Sequence, residues 1–182
     1  MKIGLFNGMK EANSIEDMII NNLPKEKLKH LKLRDMDVNY CRCCGACSKT
    51  GKCVQKDDGV EVLQTYQKCD IIIYLTNIKY GAYSKELKKA IDRTLPIGDD
   101  LLLMKEGYMI HKIIYNNKKV LVIGVLEKES EKEEKSFRAL VKANYYNMDW
   151  KSYKEGIIYE NSPDEEQEEK IKNLLKEIIS YE

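Results

Sequence analysis

Five of the six cysteines of this chain lie between Asn39 and Asp58, and this density of thiols is the sequence's strongest chemical signal. Cys41, Cys44, Cys47 and Cys53 follow the pattern C-x2-C-x2-C-x5-C, and Cys43 adds a thiol inside the first interval. Four thiolates from one loop can complete a tetrahedral site, which both zinc and a [4Fe-4S] cluster accept. Three cysteines at two-residue intervals are typical of ferredoxin-type clusters, whereas structural zinc sites more often use two separated pairs. The spacing therefore favours a [4Fe-4S] cluster, with zinc as the alternative metal.

A second interpretation is that some of these thiols are small buried hydrophobic side chains, or that two of them form a redox pair. The short spacing and the flanking cations Arg42, Lys49 and Lys52 favour the metal interpretation. Cys69 stands apart at the start of an apolar run, so we expect it to belong to the core.

Composition limits the classes of partner. Charged residues make up 34% of the 182 residues and balance to a net charge of +1, so electrostatics predicts no nucleic-acid or membrane partner. The N-terminal apolar run is too short for a secretory signal, and no run is long enough to span a bilayer. These features predict a cytoplasmic protein. Thiols are normally reduced in that compartment, which again favours metal binding over structural disulfides.

Apolar runs with the character of strands alternate with segments of helical period in five rounds. Helical spacing of apolar residues predicts helices after four of the strands and at the C-terminus, with Ser14 and Asp58 as N-caps of the first two helices and Glu61 completing a capping box. The predicted strands are Lys2–Phe6, Leu28–Arg34, Cys69–Thr76, Lys119–Leu126 and a segment around "EGIIYE".

This alternation predicts a single α/β domain over residues 1–182, with a parallel sheet covered by helices on both faces. The simplest such topology is a flavodoxin-like three-layer αβα sandwich with five strands. Its ligands are expected beyond the carboxyl ends of the strands, in the loops after Phe6, Arg34, Thr76 and Leu126. The cysteine-rich loop Asn39–Asp58 follows the second strand, on that edge. The segment Pro96–Asn117 fits neither period and is expected to be a longer excursion.

Three segments resemble the iron–sulfur flavoprotein branch of the NADPH-dependent FMN reductase family. They are "MKIGLFNG", "CRCCGACSKTGKCVQKDD" and "CDIIIYLTNIKYGAYSKELKKAIDRT", and the resemblance runs from Met1 to about Thr94. It implies a flavodoxin-like fold, bound FMN, a [4Fe-4S] cluster near the flavin, and assembly as a homodimer or homotetramer. It also implies that the metal ligands are Cys41, Cys44, Cys47 and Cys53, and that Cys43 is not one.

The resemblance places FMN against two loops. In the first, "NGMKEANSI", Gly8 opens the loop and Asn13 with Ser14 ends it; Lys10 can pair with phosphate, whereas Glu11 repels it. This loop is about two residues shorter than the family pattern, and a plain β–α turn is the alternative interpretation. In the second, "TNIKYG", asparagine replaces the family's proline and lysine replaces an aromatic residue. The predicted cofactor-binding residues are Gly8, Lys10, Asn13, Ser14, Thr76, Asn77, Ile78, Lys79, Tyr80 and Gly81.

The predicted function is that of an NAD(P)H-dependent oxidoreductase of the FMN reductase type, which passes electrons between FMN and a [4Fe-4S] cluster. The electron donor is expected to be NAD(P)H or a redox protein. Because flavin and cluster supply the chemistry, no side chain is nominated as catalytic; His30 and His111 are expected to be structural or at the surface. The alternative is a flavodoxin-like metal-binding domain that has lost FMN and catalyses no reaction.

Overall fold

The computed structural model describes residues 1–180, at Asp100 the backbone only; residues 181 and 182 of the predicted domain lie outside the described residues. Five parallel strands form the main sheet in the order β2-β1-β3-β6-β7. They are β1 (Ile3–Asn7), β2 (Leu28–Lys32), β3 (Ile71–Asn77), β6 (Lys119–Leu126) and β7 (Ser152–Tyr159). This is the predicted flavodoxin-like sheet, and the cysteine-rich loop follows β2 as predicted.

Helices cover both faces of the sheet because alternate strand residues point to opposite sides. In β3, Ile72 and Tyr74 face one layer, while Ile71, Ile73 and Leu75 face the other. The first layer contains α3 (Gly59–Lys68), α4 (Lys85–Asp92) and α5 (Glu131–Asn147); the second contains α1 (Ser14–Asn21) and α6 (Asp164–Ser180). A short helix, α2 (Ala46–Thr50), lies inside the cysteine-rich loop.

The excursion predicted at Pro96–Asn117 contains an antiparallel hairpin of β4 (Gly98–Lys105) and β5 (Tyr108–Ile113). Its turn places Glu106 and Gly107 at φ of 50° and 83°, the left-handed conformations that a tight hairpin turn requires. Several large apolar side chains of the hairpin are exposed: Leu101, Leu102, Leu103, Met104, Tyr108 and Met109. Among residues 1–180, no helix has the length and apolarity needed to cross a membrane.

One predicted N-cap was wrong, and the other lies at the predicted residue without the predicted capping box. Asn13, not Ser14, caps α1, because its side-chain oxygen accepts the Glu16 N–H at 3.0 Å. The predicted capping box of Asp58 and Glu61 on α3 is absent, since Asp58 has helical backbone angles and makes no side-chain cap bond. Its carboxylate instead accepts the backbone N–H of Asp37 at 2.7 Å, across the base of the cysteine-rich loop.

Candidate functional site

The two predicted flavin loops lie side by side at the carboxyl edge of the sheet. The Gly8 N–H donates to the Leu75 carbonyl at 2.8 Å, and the Lys10 N–H donates to Asn77 Oδ1 at 3.3 Å. The loops follow β1 and β3, which is where the strand order reverses. In a doubly wound sheet this switch point is the usual ligand crevice.

Ser84 joins the two loops and caps α4. Its hydroxyl donates to the Gly8 carbonyl at 2.7 Å and accepts the Leu87 N–H at 3.3 Å. The Ser84 N–H donates to Thr76 Oγ1 at 2.8 Å. A Cβ at Gly8 would lie 2.7 Å from both Ser84 Oγ and Leu87 Cβ, so only glycine fits this contact. The Gly8 carbonyl and the Thr76 hydroxyl both bind Ser84, and these bonds fix the backbone that forms the crevice.

In the first loop, some backbone amides are already hydrogen-bonded within the protein and are not available to a phosphate. The Met9 N–H already donates to Asn7 Oδ1 at 2.9 Å, and the Lys10 N–H is bonded as described above. Ser14, Lys10 and Glu11 are exposed at the start of α1, whose N-terminus carries partial positive charge. Asn7 is fully buried, and its Nδ2 has no hydrogen-bond partner among the described residues. The partial positive charge at the start of α1 fits an anionic group placed here, whereas the buried Asn7 amide is not accessible to one.

The second loop ends in a tight turn that leaves two side chains at the surface. Lys79 and Ala82 exchange backbone hydrogen bonds of 3.0 and 2.9 Å, with Tyr80 and Gly81 at φ of 53° and 74°. Tyr80 is 98% exposed and Lys79 is exposed, whereas Ile78 is buried and donates its N–H to the Val125 carbonyl. The loop therefore presents a fixed backbone with an aromatic and a cationic side chain.

A buried carboxylate in the first turn of α1 was missed by sequence analysis. Glu16 is 4% exposed at its side chain and lies 3.1 Å from Arg34 Nη1 and 3.3 Å from His30 Nε2. Burial lowers the pKa of His30, although Glu16 acts in the opposite direction. Because Arg34 offsets its charge, Glu16 is compatible with an anion near the start of α1.

The cysteine-rich loop borders a cavity of about 620 Å³ that Cys41, Cys43, Cys44, Cys47 and Cys53 all line. Its other walls are the end of α4, the turn after it, the β4–β5 hairpin and the end of α5. All five thiols are free. Burial raises the pKa of Cys47, and the neighbouring Cys41, Cys53 and Cys44 raise it further.

The four predicted ligands thus share one cavity, but they are not arranged around a common point. Among residues 1–180, no three His, Cys, Asp or Glu side chains form a group that could hold a metal ion as they stand. Thiolates are nevertheless the donors that zinc and iron–sulfur clusters prefer, so the donor set fits such a group chemically. The predicted flavin residues, all within the described part of the chain, do not line this cavity.

A buried ion pair at the base of this loop was also missed. Asp57 and Arg93 are 4% and 1% exposed at their side chains and are joined by two bonds of 2.6 Å. The hydrogen bonds from Arg93 hold the pKa of Asp57 well below its usual range. The available signal was that both residues belong to the recognised segments, Asp57 to the paired aspartates and Arg93 to "LKKAIDRT".

Comparisons with known proteins agree with this arrangement. The family model described as NADPH-dependent FMN reductase matches residues 1–137. The chain belongs to the NADPH-dependent FMN reductase family. Two proteins from Archaeoglobus fulgidus named iron-sulfur flavoprotein are 32% and 37% identical to it, over 40% and 52% of this chain. The predicted resemblance is thereby confirmed. These matches span 33% and 49% of the relatives' lengths.

Solved structures of the same fold cover almost the whole chain. An NAD(P)H:quinone oxidoreductase from Methanothermobacter marburgensis has a TM-score of 0.72 at 11% identity and covers 100% of this chain and 98% of its own. An FMN-dependent NADH-azoreductase from Bacillus anthracis, solved with FMN, has a TM-score of 0.65 at 12% identity, with coverage of 98% and 96%. At these identities the likeness supports the flavodoxin-like fold of this family member alone.

Proposed function

We propose that this protein is a flavin-dependent oxidoreductase that uses NAD(P)H or a redox protein as electron donor. The observation that carries this proposal is the pairing of loops Gly8–Ser14 and Thr76–Gly81 at the switch point, in a chain whose family is the FMN reductases. Bound FMN exchanges electrons in pairs with a nicotinamide, and a [4Fe-4S] cluster carries them one at a time. The side chains of the protein bind and orient these groups.

The phosphate of FMN is proposed to lie at the start of α1. The N-terminus of α1 carries partial positive charge, and Lys10 adds a positive side chain to the loop before it. The amides of Met9, Lys10 and Glu16 are already bonded, so other backbone N–H groups would have to hold the phosphate. Glu11 opposes this charge, and its cost depends on how far the exposed side chain turns into water. The ring system is proposed to lie along the backbone of Asn77–Gly81, where Tyr80 and Lys79 are exposed at the rim.

Cys41, Cys44, Cys47 and Cys53 are proposed to bind a [4Fe-4S] cluster, with zinc as the alternative metal. Support comes from their common cavity and from the preference of zinc and iron–sulfur clusters for thiolate donors. Cys43 and Cys44 are both exposed, and Cys43 is proposed to stay outside the ligand set because the family resemblance assigns the other four cysteines. Because the cavity and the flavin loops do not share residues, we propose a homodimer or homotetramer in which a neighbouring subunit brings the two centres closer.

A metal-binding domain without flavin is the second candidate. It is favoured by the hydrogen bonds that already occupy the Met9 and Lys10 amides in a shortened loop. Titrating FMN into the flavin-free protein, followed by flavin fluorescence, separates the two candidates. We expect micromolar binding that strengthens in Glu11→Arg. The charge-matched control Glu169→Arg, on α6, should leave the affinity unchanged. No binding even in Glu11→Arg would refute the flavin site.

The metal is tested by anaerobic purification with iron, sulfide and zinc assays. Cys44→Ser should lose the bound metal, whereas Cys43→Ser, its neighbour outside the proposed ligand set, should retain it. If iron, sulfide and zinc are all absent from the anaerobic wild-type protein, the metal proposal is wrong. Light scattering at micromolar concentration tests the assembly, and a monomer there would contradict the proposed oligomer.

A further inference from the structure

The Asp57–Arg93 ion pair lies where the end of the cysteine-rich loop meets the end of α4. Arg93 Nη1 donates to Asp57 Oδ2 and Nη2 donates to Oδ1, both at 2.6 Å, which is the fork geometry of a bidentate pair. The N–H of Gly59, the first residue of α3, donates to Asp57 Oδ1 at 3.1 Å. A Cβ at Gly59 would lie 2.5 Å from the guanidinium, so the absence of a side chain there makes room for Arg93.

The same pair ties the start of the loop to its end. The backbone N–H of Asn39 donates to Asp57 Oδ2 at 3.0 Å, and Arg93 Nη1 donates to the Asn39 carbonyl at 3.0 Å. The Asn39 side chain adds a bond to Asp57 Oδ2 at 3.1 Å. The buried ion pair therefore joins both ends of the segment that carries all four proposed ligands, beside the bonds between Asp37 and Asp58 at the base of the loop.

Arg93 also reaches the ligand set itself. The pKa of Arg93 is raised chiefly by its hydrogen bonds with Asp57, and Cys53, the last of the four thiols, lies close enough to raise it further. The other cations of the loop, Arg42, Lys49, Lys52 and Lys56, are exposed and are therefore screened by solvent. Arg93 is thus a buried positive charge next to one proposed ligand, and it is held there by Asp57.

We propose that Arg93 is a positioning residue for the cysteine site. It fixes the two ends of the loop before any metal binds, and it keeps a positive charge beside the Cys53 sulfur once the thiolates form. A buried ion pair adds little net stability compared with apolar residues of similar size, but it is specific in geometry. Its value here is that it limits the conformations among which the four cysteines must converge. The metal-binding part of this proposal rests on the function proposed above, whereas the closing of the loop does not.

Limited trypsin digestion of the reduced, metal-free full-length protein tests the loop alone. Arg42, Lys49, Lys52 and Lys56 are exposed cleavage sites within it, and mass spectrometry resolves their fragments. Because Arg93→Met removes charge-assisted hydrogen bonds, we expect cleavage at these sites to be about tenfold faster or more. Arg93→Lys keeps the positive charge but loses the bidentate hydrogen bonds, so its cleavage rate should lie between those of the wild type and Arg93→Met. In the control Arg138→Met, the half-exposed Arg138 on α5 loses its pair with Glu155 on β7, far in sequence from the cysteine-rich loop, and cleavage should match the wild type.

Cobalt(II) titration of the same proteins tests the link to the metal site, with the thiolate absorption as readout. Arg93→Met should bind cobalt about tenfold more weakly or worse, with Arg93→Lys again between it and the wild type. Ile171→Ala, a core substitution on α6, controls for a general loss of stability. It should lower the stability of the protein and leave the cobalt affinity at the wild-type value. Cobalt binding that weakens equally in Ile171→Ala would overturn the positioning role.

The two proposals fail in distinguishable ways. Equal cleavage of the wild type, Arg93→Met and Arg93→Lys would overturn the closing of the loop, whatever the metal result. A wild-type protein that binds neither cobalt nor iron refutes the metal function, while faster cleavage of the variants would still support the closed loop. If Arg93→Met does not fold by circular dichroism, Arg93→Lys carries both measurements.

Discussion

Replacing Ser84 by alanine should cost the protein much more stability than the loss of one hydroxyl at the surface. The hydroxyl of Ser84 caps α4 through the Leu87 N–H and donates to the carbonyl of the buried Gly8 in the neighbouring loop. Loss of an N-cap costs about 0.5–2 kcal/mol. A buried acceptor left without a partner costs about 1–3 kcal/mol. The free energy of unfolding should therefore fall by about 1.5–5 kcal/mol.

Urea denaturation followed by circular dichroism measures this change, with the slope m expected to stay constant because the exposed area does not change. Ser136→Ala is the matched control. The Ser136 hydroxyl is exposed and bonds only within α5, to the Lys132 carbonyl at 3.0 Å, so its loss should change stability by less than about 0.5 kcal/mol.

Ser84→Asp separates the two contributions. A carboxylate can accept the Leu87 N–H and restore the cap, but it cannot donate to the Gly8 carbonyl. Ser84→Asp should therefore remain less stable than the wild type. If Ser84→Ala costs less than about 0.5 kcal/mol, or if Ser84→Asp restores full stability, the hydroxyl does not join the two loops as described. FMN affinity should fall in Ser84→Ala, because both proposed flavin loops lose a shared support.

Three further predictions concern single residues. Burial lowers the pKa of His30 from 6.5, so near that pH the unfolded chain binds a proton that the folded chain does not. The free energy of unfolding should therefore fall as the pH drops below about 6.5. His30→Gln should flatten that slope in urea titrations at several pH values, and an unchanged slope would contradict the assignment. Gly124→Ala should cost about 1–3 kcal/mol, because its Cβ would lie 2.6 Å from Ile78 Cδ1; thermal denaturation that shows no loss would contradict this packing. Tyr80→Asn should weaken FMN binding in fluorescence titrations without lowering the melting temperature. The reason is that Tyr80 is 98% exposed and that asparagine tolerates its positive φ. An FMN affinity equal to that of the wild type would show that Tyr80 is not part of the flavin site.

Local sequence patterns predicted the main sheet well. The strand predicted at Lys119–Leu126 has those bounds in the structure, and the one predicted at Cys69–Thr76 is found at Ile71–Asn77. Both are continuous apolar runs, which strands buried on two faces require. The β4–β5 hairpin was not predicted, because exposed apolar residues on both of its faces hide the alternation that identifies a strand.

In the candidate site too, some features were predictable from the sequence and others were not. The four cysteines were recognisable because their spacing lies within one short loop, and the loops "NGMKEANS" and "TNIKYG" were recognisable by resemblance. The caps were less predictable, since Asp57 and Asp58 are adjacent and chemically alike. Only the folded chain directs Asp57 to Arg93 and Asp58 to Asp37.

The sequence by itself determined which segments form the strands of the main sheet, where the cysteine cluster lies and which family the chain resembles. Each of these depends on residues close together in the chain. The tertiary structure decided which charges are buried together. Arg93 meets Asp57 across 36 positions, and Arg34 meets Glu16 across 18. No local period relates such residues. Glu16 and Arg34 meet because parallel strands bring the segments beyond β1 and β2 to one edge, whereas Arg93 reaches Asp57 from the end of α4. In both pairs a buried charge requires a partner.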